Sequence, residues 1–205
     1  MGYFPFFIDL AGRAGLVVGG GSTALRKLEK LKPYGPALTA AAPVFCPEIE
    51  GMGGVTLLRR PFREEMLEGQ FFAIAATDDP AVNHRIAALC RERGILVNVV
   101  DDREECTFLF PALAGRGALS VGVSTGGSSP TAAVWLKERI DGLLPPNMEE
   151  ILIFLDGQRA EARRRFPGER ERSGALKALF RACLDRGRPL DEGEAEEIWR
   201  QEGGR

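Results

Sequence analysis

The feature that most constrains this chain is the run Leu16-Val17-Val18-Gly19-Gly20-Gly21-Ser22-Thr23-Ala24-Leu25-Arg26-Lys27. An apolar, strand-favouring segment meets G-x-G-x-x-A and continues at helical spacing. Each small residue has a physical role there. Gly19 permits a tight turn, Gly21 lets a diphosphate approach the backbone with no Cβ in the way, and Ala24 lets the helix pack closely on its strand. The start of that helix presents free N–H groups and the positive end of its dipole to an anion. The run predicts a dinucleotide at a strand-to-helix turn, with a plain glycine-rich turn as the alternative.

The flanking residues supply a sheet for that turn. Strands are expected at Phe6–Leu10 and Gly15–Val18 around an Ala11–Ala14 turn, then at Ala37–Ala41, Val55–Leu58, Phe71–Ala76 and Ile95–Val100. Helices are expected over Leu25–Leu31, stopped by Pro33-Tyr34-Gly35, and over Ala81–Arg93, stopped by Gly94. Phe71–Ala76 is apolar throughout, as in a strand covered on both faces. Such alternation implies a parallel sheet with helices on both faces. Farther on, Thr107–Phe110 and Ala118–Ser124 read as an antiparallel pair, because the connection through Gly115–Gly117 is short. A helix opens at Pro130 and runs to about Ile140, and charged helical segments follow near 147–165, 173–186 and 191–201. The expected fold class is α/β: a Rossmann-like parallel-sheet domain, then a small all-helical domain.

Composition narrows the function. Apolar residues make up 44%, enough for a packed core. The 27 basic and 29 acidic residues leave a net charge of −2, which argues against a nucleic-acid partner. Arg163–Arg165 has Glu161, Glu169 and Glu171 close by and reads as a solvated helix face. The single histidine, His84, rules out zinc sites built on two or more histidines; one turn into a helix, it reads as a surface or capping residue. The four cysteines lie far apart with no C-x-x-C pair, so no metal site is expected and reduced thiols in a cytoplasm fit best. No apolar run approaches the roughly 20 residues that span a bilayer. The opening MGYFPFF has neither a secretory pattern nor Ser or Thr at the sixth position for myristoylation. A cytoplasmic protein with no membrane association is expected.

Further segments face the same crevice, because the carboxyl ends of parallel strands line the ligand site. The second strand should end in Asp or Glu to hold the adenosine ribose; here it ends Ala40-Ala41-Ala42-Pro43. Ribose contacts then fall to the backbone around Pro43 and Val44. NAD versus NADP stays open by this rule, although no arginine stands beside Ala41 to meet a 2′-phosphate. In Ala75-Ala76-Thr77-Asp78-Asp79-Pro80, Thr77 can flank the nicotinamide half while Asp78 or Asp79 caps the next helix. Asn98-Val99-Val100-Asp101-Asp102 places Asn98 and Asp101 near the crevice. A carboxylate there can accept a proton or hold a metal; it can equally be a turn residue.

Taken in order, G-G-G-S-T-A-L-R-K, A-A-T-D-D-P-A-V-N-H-R-I, N-V-V-D and S-T-G-G-S-S-P resemble the precorrin-2 dehydrogenases, the dehydrogenase and ferrochelatase part of sirohaem synthases. The resemblance spans roughly residues 3–145, and the opening F-P-F-F-I-D-L fits it too. It implies an NAD-binding Rossmann domain over 1–112, a dimerisation segment over 113–146, a helical domain over 147–205, and a homodimer. It implies NAD-dependent oxidation of precorrin-2 to sirohydrochlorin, with precorrin-2 made by another protein. The catalytic aspartate of the family falls on Asp101, and its NAD contacts on Gly21, Ser22, Thr23, Pro43, Val44 and near Thr77. Gly19 and Asn98 complete the expected cofactor set. The many carboxylates of precorrin-2 call for cations and N–H donors. Arg116, the Ser124–Ser129 loop with Ser124, Thr125 and Ser128, and Lys137 or Arg139 of a partner subunit are the candidates.

Two other readings accompany the dehydrogenase. One is a bifunctional enzyme that also inserts ferrous iron into sirohydrochlorin. The other is a non-catalytic NAD-sensing module, which explains the glycine turn but not the other three motifs.

Overall fold

In the computed structural model, which describes residues 3–203, five strands pair into one parallel sheet. They are β1 (Ala14–Val18), β2 (Ala37–Ala41), β3 (Val55–Leu58), β4 (Phe72–Ala75) and β5 (Leu96–Val99), in the spatial order β3-β2-β1-β4-β5. The chain builds outward from β1 in one direction and then from β4 in the other. The crevice of such a sheet opens at that switch, beyond the carboxyl ends of β1 and β4.

Strand periodicity divides the core between two faces. Val17, Leu38, Ala40, Phe72 and Ile74 point to one face, where α1 (Ser22–Leu31) buries Ala24, Leu28 and Leu31 and the short α2 (Pro47–Glu50) buries Ile49. Leu16, Val18, Ala73, Ala75, Val97 and Val99 point to the other, against Ile86, Ala87 and Cys90 of α3 (Pro80–Glu92). Every residue of β4 is buried, as its unbroken apolar run requires. Truncating a core side chain such as Leu28 to alanine removes about 2–5 kcal/mol.

Two expected strands are absent. Phe6–Leu10 has no strand structure, and Phe4, Phe6 and Phe7 stand exposed. The reason lies in β1: β2 and β4 occupy both of its edges, so no edge is left for a hairpin partner. Thr107–Phe110 is likewise not a strand. Thr107 folds back on β5, its N–H donating to the Val97 carbonyl at 2.8 Å, while Phe108 meets Phe72 edge-on. Met1 and Gly2, at the head of the expected N-terminal pattern, lie outside the described residues.

The chain divides into two compact units after Phe110. In the second, β6 (Ala112–Arg116) takes the place expected for Thr107–Phe110 and pairs antiparallel with β7 (Leu119–Val123). The turn is Gly117-Ala118, with Gly117 at φ 54°. Against this hairpin packs α4 (Pro130–Leu143). Three helices follow, α5 (Met148–Arg165), α6 (Glu169–Arg186) and α7 (Glu192–Gly203), around Ile151, Phe166, Leu179, Cys183 and Trp199. Helix α6 starts earlier than residue 173 because Gly168 forms its cap and Glu169 and Glu171 sit in its first turn, where the dipole favours them. Among the described residues no helix is long and apolar enough to cross a membrane.

Candidate functional site

The first unit holds an open cleft of about 780 Å³ at the carboxyl ends of β1, β2, β4 and β5. That volume falls within the range of small-molecule and cofactor sites. Its lining includes Gly19–Thr23, Pro43, Val44, Thr77 and Asp101, so four separate expected segments meet on one wall.

The glycine turn is built as its chemistry demands. Gly19 adopts φ 138°, and a Cβ there would collide with the carbonyl oxygen of Ala76. Gly20 lies as close to the Val44 carbonyl, and its own carbonyl accepts from Cys46 N–H at 2.8 Å. Gly21 differs: a Cβ built on it meets nothing within 4 Å, so the cleft reaches the backbone itself. Gly21 caps α1 without a side-chain hydrogen bond, and the first turn carries no acidic residue. The amides of Ser22, Thr23 and Ala24 have no acceptor inside the helix. The charged side chains lining the cleft are Asp78, Asp79 and Asp101, and no Lys or Arg is among them. An anion here would meet amides and the positive end of the helix dipole. A cradle open to the backbone, with uncapped amides aimed into it, fits the diphosphate of a dinucleotide.

Thr77 and Asp79 follow β4. The Asp79 carboxylate caps α3, accepting from Ala81 N–H at 2.9 Å and Val82 N–H at 3.4 Å. Thr77 is gripped by Asn83, a residue sequence reading passed over. Asn83 lies three and seven residues before Ile86 and Cys90, on the apolar face of α3. A polar residue on an apolar stripe was the signal that could have found it.

Asp101 lies at the end of the turn after β5. It is the one non-glycine among the described residues with positive φ, at 60°. Its carboxylate is exposed and makes no hydrogen bond among the described residues. Asn98 does not line the cleft. It is buried in β5, where its amide donates to the Phe108 carbonyl at 3.1 Å. It stands before Val100, the residue at which this segment begins to line the cleft. Lys27 of α1 lies with its ammonium 3.9 Å from the centre of the Phe110 ring. Burial lowers its pKa to about 8, Lys30 adds to the depression, and Cys106 and Asp101 oppose it.

In the second unit, Arg116 pairs with Asp141 at 2.6 Å and also donates to the carbonyls of Gly115 and Asp141. Lys137 shares Asp141 at 3.5 Å. The Thr125 hydroxyl donates to the Ser129 carbonyl at 3.0 Å and accepts from Ser129 N–H at 3.1 Å. Ser129 caps α4 through Ala132 N–H, and Ser124 Oγ accepts from Gly126 N–H. Ser128 is exposed, and Arg139 stacks on Trp135. His84 is a surface residue with Nδ1 3.4 Å from Glu105.

Comparison with known proteins bears on the whole chain. Residues 6–112 match the family model described as "Putative NAD(P)-binding", and residues 116–143 match the one described as "Sirohaem biosynthesis protein central". The chain is 39% identical over 170 residues to a siroheme synthase of Thioalkalivibrio sulfidiphilus, covering 82% of this chain and 35% of that protein. It is 35% identical over 201 residues to a siroheme synthase of Sodalis glossinidius, covering 95% and 42%. It thus spans well under half the length of these relatives. Among solved structures, SirC, a precorrin-2 dehydrogenase, matches with a TM-score of 0.73 at 28% identity, over 99% of this chain and 100% of that one.

Proposed function

The chain belongs to the NAD(P)-binding family of sirohaem biosynthesis, and we propose that it oxidises precorrin-2 to sirohydrochlorin with NAD. One observation carries this reading: the open backbone of Gly21 and the carboxylate of Asp101 line the same cleft. The likeness to SirC and to the siroheme synthases supports the choice of substrate.

When bound, the dinucleotide supplies a hydride acceptor. The amides of Ser22 and Thr23, with Gly19 and Gly21 keeping the path clear, hold its diphosphate. Pro43 and Val44 flank the ribose at the end of β2, and Thr77 flanks the nicotinamide end. Removing two hydrogens from the macrocycle releases a hydride and a proton. Asp101 accepts that proton on a carboxylate oxygen. The chain's other contribution is orientation, which alone can supply a large part of a rate.

Residues 1–112 form the dinucleotide domain in this reading, 113–146 the dimerisation segment and 147–205 the helical domain. Val134, Trp135 and Leu136 of α4 are exposed, which supports a homodimer through that segment. Ser124 and Ser128 meet the substrate carboxylates, and Thr125, its hydroxyl spent on Ser129, holds the loop that presents them. Arg116 joins them through the N–H donors that Asp141 and Gly115 leave free. All four cysteines are free thiols, in keeping with a cytoplasmic protein. No specific observation favours the bifunctional alternative, in which ferrous iron is a second substrate.

The test is direct. Anaerobic incubation with precorrin-2 and NAD yields NADH and sirohydrochlorin in equal amounts. Folded protein that binds NAD and turns over no precorrin-2 overturns the proposal.

A further inference from the structure

Asp101 poses a positioning problem. Its carboxylate is anchored by no hydrogen bond among the described residues, so its place on the cleft wall is set by its backbone. That backbone is left-handed, at φ 60°. For a residue with a Cβ, this region costs about 1–2 kcal/mol, although aspartate tolerates it better than most. A residue held there needs surroundings that fix the turn from both ends.

The surroundings converge on one buried atom. The Sγ of Cys106, a residue 6% exposed, lies 3.2 Å from Val99 N, 3.3 Å from Val99 O and 3.2 Å from Asp102 O. Val99 and Asp102 are the residues that bracket the Val100-Asp101 corner. The Asn98 amide also donates to this sulfur, at 3.4 Å. The sulfur therefore accepts from the Val99 and Asn98 N–H groups, and its single proton goes to the Val99 or the Asp102 carbonyl. Burial pushes the Cys106 pKa up, against the Val99 hydrogen bond and the charges of Lys27 and Arg91 that pull it down, with Asp102 adding to the rise. The group stays a thiol and keeps the proton it donates. Around it, Val100 N–H donates to the Ala75 carbonyl at 2.9 Å, and the Asp102 carboxylate accepts from the amides of Glu104 and Glu105. These bonds flank the corner. Farther out, Thr107 joins Val97 through its N–H at 2.8 Å and its hydroxyl at 2.7 Å, and the sulfur is the tie between Val99 and Asp102, the residues next to the corner.

We infer that Cys106 is a positioning residue for Asp101: its thiol ties Val99 to Asp102 and so holds the left-handed corner that presents the carboxylate to the cleft. The inference rests on the reading of Asp101 as the proton acceptor. It differs from a packing role in one respect. For packing, sulfur is only volume, and a hydroxyl in its place is worse than a methyl, because burying a hydroxyl is unfavourable. For bracing, the hydroxyl keeps the ties and the methyl loses them.

Cys106→Ala and Cys106→Ser separate the two. Both shrink the side chain, so neither overpacks the site. Three readings are taken on each: the NAD dissociation constant, kcat with precorrin-2, and amide hydrogen exchange of Val99–Glu105 in the protein without substrate. In Cys106→Ala, kcat falls at least about tenfold, as a misplaced catalytic group predicts, while NAD affinity holds. Exchange of the corner amides rises in the same variant. In Cys106→Ser, kcat returns to within about threefold of wild type and exchange is again slow, since the hydroxyl restores donor and acceptor. Cys106→Ala matching or exceeding Cys106→Ser in both kcat and protection overturns the inference. Asp101→Asn, assayed beside them, tells the failures apart. Wild-type turnover in Asp101→Asn overturns the assignment of the base. An inactive Asp101→Asn beside a wild-type-like Cys106→Ala overturns the role of Cys106 alone.

Discussion

Asn83 closes on Thr77 through three hydrogen bonds: its Oδ1 accepts the Thr77 N–H at 3.2 Å and the hydroxyl at 2.7 Å, and its Nδ2 donates to the Thr77 carbonyl at 3.0 Å. A helix residue thereby fixes the loop that follows β4, where the cleft needs a defined wall. Asn83 is 8% exposed, so these partners have little water to replace them. Asn83→Ala is expected to lower stability by about 2–3 kcal/mol, mostly from the Thr77 N–H and carbonyl left unpaired, since the hydroxyl keeps the Asp79 carbonyl at 3.0 Å. NAD binding weakens with it. Urea denaturation and calorimetric titration with NAD measure both. Unchanged values for the two would show that Thr77 is held by something else.

The glycines of the turn separate fold from function. Gly19→Ala drives a Cβ into the Ala76 carbonyl at a backbone angle that L-residues rarely adopt, so the fold loses stability. Gly21→Ala places a methyl in open cleft space. Its melting temperature should stay close to wild type while the NAD dissociation constant rises about tenfold or more, equivalent to about 1.4 kcal/mol. Thermal melts with and without NAD read the contrast. A Gly21→Ala protein that binds NAD like wild type would place the diphosphate elsewhere.

Lys27 ties stability to pH with a defined sign. Its pKa of about 8 in the fold lies below the ordinary 10.5, mainly through burial and then Lys30, with Cys106 and Asp101 opposing. Between those values the unfolded chain binds the extra proton. Stability contributed at this site therefore rises with pH from about 8 to 10.5 and is flat below that window. Lys27→Met keeps the contact with Phe110 and removes the titration. Urea denaturation of both proteins across the window should show wild type gaining on Lys27→Met as pH rises. Parallel curves would mean that Lys27 is solvated in the fold.

The legible part of the molecule was the part written in local pattern. The turn at Gly19–Ala24, the unbroken apolar strand β4 and the Asp79 cap before Pro80 each carry their physics within a few residues. What failed was pairing. Phe6–Leu10 has a strand's composition, but β1 had no free edge to offer it. Thr107–Phe110 likewise looks like a strand, yet Thr107 is spent on Val97 and the hairpin forms from Ala112 instead. The pattern places Asn98 near the crevice, yet its amide is spent on the Phe108 carbonyl and the Cys106 sulfur. The ribose end shows the same limit. No arginine adjoins Ala41 in sequence, but parallel register sets Leu58 beside it, with Arg59 and Arg60 next in the chain. Asn83 and Cys106 were missed because each acts on a residue that only the fold brings near.

Asp101→Asn tests the central claim most directly. Asparagine has the same shape and tolerates the left-handed corner, so the backbone at φ 60° is kept and only the proton-accepting oxygen is lost. Calorimetric titration gives the NAD dissociation constant and an anaerobic precorrin-2 assay gives kcat on the same preparation. The account predicts NAD binding within about twofold of wild type and a kcat lowered by about a hundredfold or more, the range of a lost general base. Wild-type kcat in Asp101→Asn, with NAD still bound, would contradict it.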